Sequence, residues 1–174
     1  RPMTEDDLTE IQADTVVLAT GALPAKLKIS GVDRANVFEA WDVIIHPENV
    51  GPKALVIGGG AVGAEVAEFL VDREREVTLI EMMKEIAFDE ERATRKLLLR
   101  RLGEKGVSVR VLTKVLSIDE NNVEVECMGN REHIPADTIV IATGVKANNE
   151  LEERIKGLKI EFYQIGDCAS PRKA

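Results

Sequence analysis

With 174 residues, 44% of them apolar and 31% charged, the chain can bury one ordinary core beneath a well-solvated surface. A formal net charge of −8, basic residues scattered among acids and only 3% aromatics argue against nucleic acid and anionic lipid as partners. No stretch reaches transmembrane length and the N-terminus lacks a signal-peptide layout, while Cys127 and Cys168 form neither a CxxC pair nor a metal-ligand spacing. The expectation is a cytoplasmic chain with free thiols, no membrane partner and no metal site.

The first patterned segment, residues 13–21, reads ADTVVLATG and is echoed at residues 136–144 as ADTIVIATG. Each joins a polar entry to a short β-branched run and an Ala-Thr-Gly turn. The runs suit fully buried parallel strands, with Gly21 and Gly144 permitting sharp exits. A pattern repeated once is no solenoid; it fits a chain that leaves one body and later returns to it. On that basis residues 1–50 and 146–174 are expected to be pieces of one domain, and residues 51–145 a second domain between them.

Within the brackets, KALVI at Lys53–Ile57 reads as a buried strand, GGGAVG at Gly58–Gly63 as a turn, and Ala61 to about Arg73 as a helix with Val62, Val66, Phe69 and Leu70 on its buried stripe. That helix runs into Asp72-Arg73-Glu74-Arg75 with no glycine to stop it. EVTLIE at Glu76–Glu81 is the next strand. Asp89 then opens a helix to about Lys105: Asp89, Glu90 and Glu91 suit its positive N-terminal end, Arg100, Arg101 and Lys105 its negative C-terminal end, and Gly106 its stop. Val107–Leu112 is expected as a third parallel strand. From Thr113, short alternating runs punctuated by Asn121-Asn122 and Gly129-Asn130 predict a three-stranded antiparallel excursion before Ile139. The fold class is therefore α/β: a Rossmann-like βαβ parallel sheet with an antiparallel excursion, bracketed by parts of a second domain.

The chemistry lies in the glycine turn. Gly58, Gly60 and Gly63 follow a predicted strand and open a helix, the context in which GxGxxG reads as a dinucleotide fingerprint. Gly58 allows the tight turn, Gly60 removes a side chain that would block a pyrophosphate, and Gly63 lets the helix pack on the strand. With Gly59, Ala61 and Val62 between them, their N–H groups and the helix dipole face the phosphates. Glu81 ends the second strand, where an acid accepts hydrogen bonds from the adenosine ribose, and this favours NADH; the nearby cation Lys84 can tolerate a 2′-phosphate. No acid, base or nucleophile pair emerges: His46 and His133 read as surface or loop residues, and Cys168 as a small buried residue after a turn. The residues are thus equally consistent with a dehydrogenase-type module, since hydride transfer needs no protein nucleophile, and with a non-catalytic NADH sensor.

Taken together, Ala19–Gly21, GGGAVGAE at Gly58–Glu65, LIE at Leu79–Glu81, Ala142–Gly144 and IGD at Ile165–Asp167 resemble, in order, the pyridine nucleotide-disulfide oxidoreductase superfamily. AWDVI at Ala40–Ile44 and IGDCASPRKA at Ile165–Ala174 are most similar to the NADH-binding region of Old Yellow Enzyme-like NADH:flavin oxidoreductases, the 2,4-dienoyl-CoA reductase, enoate reductase and trimethylamine dehydrogenase types. The resemblance implies that Gly58, Gly60 and Gly63 cradle the NADH pyrophosphate, and that Glu65 lies near the nicotinamide. It implies that Thr143 and Gly144 belong to a cofactor-lining crossing between domains, and that Asp167 contacts FAD, or the ADP that some members hold instead. It further implies a parent with an FMN barrel and a 4Fe-4S cluster, passing electrons from NADH through FAD and the cluster to FMN and a small-molecule acceptor, an activated alkene. The FAD domain's own GxGxxG, the barrel and the cluster cysteines are not in these residues, and the chain opens on Arg1. The expectation is a fragment that does not turn over alone. A ferredoxin, nitrite or thioredoxin reductase relative is the alternative enzyme reading, the last disfavoured by the missing CxxC.

Overall fold

The computed structural model describes residues 4–157 and 160–171. In chain order the elements are α1 (Glu5–Ile11), β1 (Thr15–Leu18), β2 (Ala22–Pro24), β3 (Val37–Glu39), α2 (Ala40–Ile45), β4 (Lys53–Ile57), α3 (Ala61–Val71), β5 (Glu76–Ile80), α4 (Arg92–Glu104) and β6 (Ser108–Arg110). There follow β7 (Thr113–Ile118), β8 (Asn122–Cys127), β9 (Asn130–Pro135), β10 (Thr138–Ile141), β11 (Val145–Ala147), α5 (Glu150–Ile155) and β12 (Glu161–Gln164). They form two compact units: residues 26–144, and the flanking segments 1–25 and 145–173.

The larger unit is built on a five-stranded sheet in the order β3-β10-β4-β5-β6, parallel throughout. β4 lies at its centre and is covered on both faces, so KALVI is apolar without alternation. Pleating nevertheless sorts its side chains. Ala54 and Val56 pack with Val77, Leu79 and Val140 under the helices, against Val43, Val66, Leu70, Leu98 and Leu102. Leu55 and Ile57 point the other way, with Ile80, Ile139 and Ile141, onto Val115, Ile118, Val123 and Val125. The β7-β8-β9 sheet is the antiparallel excursion, and it supplies the second cover of the parallel sheet. Each Val, Leu or Ile so buried is worth about 1.5–3 kcal/mol.

Several element ends differ from the sequence expectation. The third parallel strand stops at Arg110 because Leu112, at φ 52°, turns its N–H onto the Met83 carbonyl at 3.0 Å. α4 starts at Arg92 and not at Asp89; Glu91 caps it, accepting from the N–H groups of Ala93 at 2.8 Å and Thr94 at 3.2 Å. α3 ends without glycine because Glu74 takes the left-handed conformation itself, at φ 61°, while the Arg75 N–H returns to the Leu70 carbonyl at 3.2 Å. Of the expected stripe on α3, Val66 and Leu70 are buried and Val62 and Phe69 partly so; the small residues Ala61, Gly63, Ala64 and Ala67 are buried as well.

In the flanking unit, β1 pairs in parallel with β12, and β2 pairs antiparallel with β11. The two Ala-Thr-Gly segments therefore lead into one ribbon, with Gly21 at φ 69° and Gly144 at φ 98° making the exits. Residues 26–50, expected with the bracketing domain, instead include β3, an edge strand of the parallel sheet, so the units divide after Ala25. β1 was expected to be fully buried; Val17 and its neighbour Tyr163 on β12 are exposed, because only the opposite face is packed, by Leu18, Phe162, Leu151, Ile155 and Cys168.

One ion cluster joins α3 to α4. Glu68 accepts from Arg101 Nε at 2.6 Å and Nη2 at 2.9 Å, and Lys105 Nζ bridges Glu68 at 2.9 Å and Asp72 at 2.7 Å. Hydrogen bonding from Arg101, opposed by burial and reinforced by Lys105, lowers the Glu68 carboxyl to about 2 from an ordinary 4.5. A carboxylate depressed on folding stabilises the native state above its unfolded pKa, and that contribution is lost as pH falls through the folded one. Glu68→Gln is thus expected to be less stable than wild type at pH 7, with the gap closing as pH falls from about 4.5 toward about 2. Thermal denaturation of both proteins across that range is the check, and a pH-independent gap refutes the coupling.

Candidate functional site

Three parallel strands, β4, β5 and β10, end side by side, and the loops leaving them form the site. β4 runs into the glycine turn, β5 into Glu81, and β10 into Ala142, Thr143 and Gly144. This is the carboxyl edge of a parallel sheet, where α/β folds bind their ligands.

Each glycine of the turn can be assigned its reason. Gly58 has φ 106°, and a Cβ there would stand 2.4 Å from the Ala142 carbonyl oxygen. At Gly63 a Cβ would meet the Gly58 oxygen at 1.8 Å, and at Gly59 it would meet Ile86 at 2.6 Å and Glu81 Cβ at 2.8 Å. These three are required by packing. Gly60 is not: at φ −64°, ψ −176° its backbone suits any residue, and a Cβ there finds nothing nearer than an Asp89 carboxylate oxygen at 3.5 Å. A side chain at Gly60 would be in ordinary contact with the Asp89 carboxylate alone, at the start of a helix whose first N–H groups need acceptors.

Glu81 is 7% exposed and held on both sides. Its Oε2 accepts from the Gly59 N–H and its Oε1 from the Met83 N–H, each at 2.7 Å. Its own backbone continues the sheet, with the N–H on the Arg110 carbonyl at 2.9 Å and the carbonyl accepting from Thr113 at 3.0 Å. Each carboxylate oxygen keeps a further lone pair for an outside donor. Met82 and Met83 follow it in the chain, the Leu112 N–H donates to the Met83 carbonyl at 3.0 Å, and all three side chains are exposed.

The structure therefore brings together Gly58, Gly59, Gly60, Ala61, Val62, Gly63, Glu81, Thr143 and Gly144. Glu65 lies on the exposed side of α3, and Lys84 is exposed on the loop after Glu81. Asp167 lies in the other unit, exposed in the short turn Gly166–Cys168. His46 follows α2, exposed beside Glu48, while His133 is exposed on β9, 3.0 Å from Asn122 Oδ1. Cys168 is buried, with Sγ 3.1 Å from the Leu18 carbonyl. Among the described residues no group of three or more His, Cys, Asp or Glu side chains is arranged to hold a metal ion, and no helix is long and apolar enough to cross a membrane.

One residue of the site escaped the sequence reading. Asp89, expected at the N-terminus of α4, places Oδ1 3.0 Å from the Ala61 nitrogen and accepts that N–H, the first of α3. Three consecutive acids before a helix that needs one cap were the available signal.

A family model for pyridine nucleotide-disulphide oxidoreductases matches residues 1–172. The chain belongs to that family. Among relatives of this oxidoreductase domain, a bilirubin reductase of Mediterraneibacter gnavus is 37% identical over 159 residues, covering 89% of this chain and 24% of the relative. An NADH oxidase of Thermoanaerobacter brockii is 33% identical over 171 residues, covering 94% and 26%. The solved structure of a 2-naphthoyl-CoA reductase, in complex with 2-naphthoyl-CoA, matches with a TM-score of 0.91 at 29% identity, over 98% of this chain and 26% of that one. The likeness to the Old Yellow Enzyme-like flavoproteins holds, and the chain spans about a quarter of the length of these relatives. The family's chemistry is NAD(P)H-dependent oxidoreduction with a flavin, and it implies NAD(H) and FAD as cofactors.

The glycine assignments separate folding from binding. Gly63→Ala is expected to cost more than about 3 kcal/mol, because its Cβ would overlap a backbone oxygen. Gly60→Ala is expected to change stability by less than about 1 kcal/mol. Denaturant unfolding of the two variants measures the contrast, and equal destabilisation would refute it.

Proposed function

We propose that this chain is the NADH-binding domain of a flavin-dependent oxidoreductase, in which hydride passes from NADH to FAD and electrons continue to an FMN that reduces an activated alkene. The observation that carries the NADH seat is Gly60. It is the one glycine of the fingerprint that the protein's own packing does not require, and a side chain there would project into the space before the α3 N-terminus. That cradle fits a pyrophosphate, with the N–H groups of the first turn of α3 facing it. Glu81 fits an adenosine ribose: two backbone N–H groups fix its carboxylate and leave lone pairs for the 2′- and 3′-hydroxyls. Met82, Met83 and Leu112 offer the adenine an apolar bed. Thr143 and Gly144 line the far side of the turn, and Glu65 and Asp167 take the roles the family resemblance gives them, toward the nicotinamide and the flavin.

Bound NADH supplies a hydride; the residues of this chain bind and orient it. The alkene-reducing parent is favoured by the likeness to a reductase solved with 2-naphthoyl-CoA, whose ring double bonds are conjugated to a thioester carbonyl. In this reading the FMN and 4Fe-4S cluster belong to other parts of the parent, and the chain by itself does not turn over. The cytoplasm is the proposed setting, with Cys127 and Cys168 as free thiols.

NADH should be preferred over NADPH. A 2′-phosphate beside Glu81 would bring two anions to about 4 Å, worth roughly 4 kcal/mol at an effective dielectric of about 20. The neighbouring Arg110 is already paired with Glu132 and offers that phosphate little relief. Screening and Lys84 reduce the penalty to about 1–3 kcal/mol, or about ten- to a hundredfold in affinity. Calorimetry is expected to give tighter NADH than NADPH binding, with Glu81→Ala narrowing the gap, and no NADH binding to a folded Gly60→Val. Equal or tighter NADPH binding by wild type would sink the Glu81 argument. Unchanged NADH affinity in Gly60→Val would remove the turn as the seat.

A further inference from the structure

The space that the proposed pyrophosphate would enter already has an anion at its edge. Asp89 Oδ1 accepts the Ala61 N–H at 3.0 Å, and its two carboxylate oxygens lie 3.5 and 3.7 Å from where a Gly60 Cβ would stand. The position from which a side chain is missing, and from which a ligand is expected to profit, faces this carboxylate. The helix to which Asp89 leads has no use for it, since Glu91 caps α4 with two hydrogen bonds. α3, by contrast, has glycine at its N-cap and no side-chain cap of its own. A carboxylate is stabilised there by the helix dipole, for the same reason that a phosphate is.

The segment carrying Asp89 is fastened over the turn. The Ala87 N–H donates to the Gly59 carbonyl at 2.6 Å, Ile86 packs against Gly59, and Arg95 Nε donates to the Ile86 carbonyl at 2.9 Å. Ala87 pays for this with a left-handed backbone, φ 48°, rare for a residue with a Cβ. Such strain is held by surrounding contacts and is relieved when they open.

We propose that Asp89 is a resident anion that competes with the dinucleotide pyrophosphate for the N-terminus of α3, so that binding requires the segment after β5 to release it. This rests on the reading of the GGGAVG turn as the NADH seat. Asp89 stands in for a phosphate oxygen: it satisfies the Ala61 N–H and keeps the turn shaped, and it opposes an arriving pyrophosphate by like charge. Met82 and Met83 leave Glu81 on the same segment, so release at Asp89 couples the phosphate end of the site to the adenosine end. Asp89 acts as a positioning residue that sets affinity.

Two substitutions separate charge from capping. Asp89→Asn keeps an oxygen acceptor for the Ala61 N–H and removes the charge; Asp89→Ala removes both. Calorimetric titration of the 174-residue chain and both variants would use NADH and, separately, inorganic pyrophosphate. Circular dichroism would monitor folding, and the Ala61 amide would be followed by nitrogen-15 NMR. The expected result is binding of both probes about tenfold tighter in Asp89→Asn than in wild type, with the wild-type Ala61 resonance moving as either probe saturates. Unchanged or weaker binding in a folded Asp89→Asn makes Asp89 a structural cap and overturns the inference, while measurable NADH binding in all three proteins keeps the NADH reading. A tenfold gain for pyrophosphate with no NADH binding in any protein keeps the competing anion and removes the NADH reading. Should the variants not fold, a wild-type Ala61 resonance that stays fixed at saturating NADH and pyrophosphate overturns the inference on its own.

Discussion

The start of α3 lies so close to the turn before it that a Cβ at Gly63 would stand 1.8 Å from the Gly58 carbonyl oxygen. With no Cβ at Gly63, the helix begins against the Gly58 carbonyl, and Gly58 in turn lies against the backbone of Ala142 and Thr143. Strand β4, helix α3 and strand β10 are thereby locked at one corner, with main chain touching main chain and no side chain free to adjust. The buried stripe of α3 then meets the sheet at a fixed angle, and the ends of β4, β5 and β10 are brought level. The hydrophobic layers on both faces could tolerate some repacking; this corner could not.

Around that corner, acidic side chains do the work that loops usually leave to water. Glu81 reaches back to Gly59 and forward to Met83, so it ties β5's exit to the glycine turn. Asp89 ties the following segment to the start of α3. Both place carboxyl oxygens on backbone N–H groups. The acidic composition of the chain is thus partly structural at the site.

Much of this was legible in the sequence for a physical reason. KALVI, GGGAVG and EVTLIE are local signals, in which period, turn chemistry and burial agree. The five-residue strand β4 and the start of α3 at Ala61 match their expected bounds. The antiparallel strands were legible from their turn residues, yet their purpose, covering the second face of the parallel sheet, was not, since it depends on contacts between distant segments. Asp89 was misassigned on the same account: charge next to a helix start reads as a cap for that helix, and nothing local points to a different one. The stop of α3 at Glu74 was hidden because a residue with a Cβ takes the place usually left to glycine. Residues 26–50 were grouped with the wrong neighbours because Val37–Glu39 is too short a strand to announce its sheet.

The ribbon of β2 and β11 has a consequence for how the chain reaches its native state. Pro24 is in register with Val145, so the stretch between them starts and finishes at neighbouring points. The pairing of β1 with β12 joins residues as distant as Thr15 and Glu161. Closing so long a loop in an unfolded chain carries an entropic penalty that grows with the logarithm of its length. Once the intervening body has folded with its two ends together, the flexible loop that remains is only the few residues on either side. A body that holds its two ends together in this way acts as a clasp, turning a long-range encounter of the flanking strands into a local one.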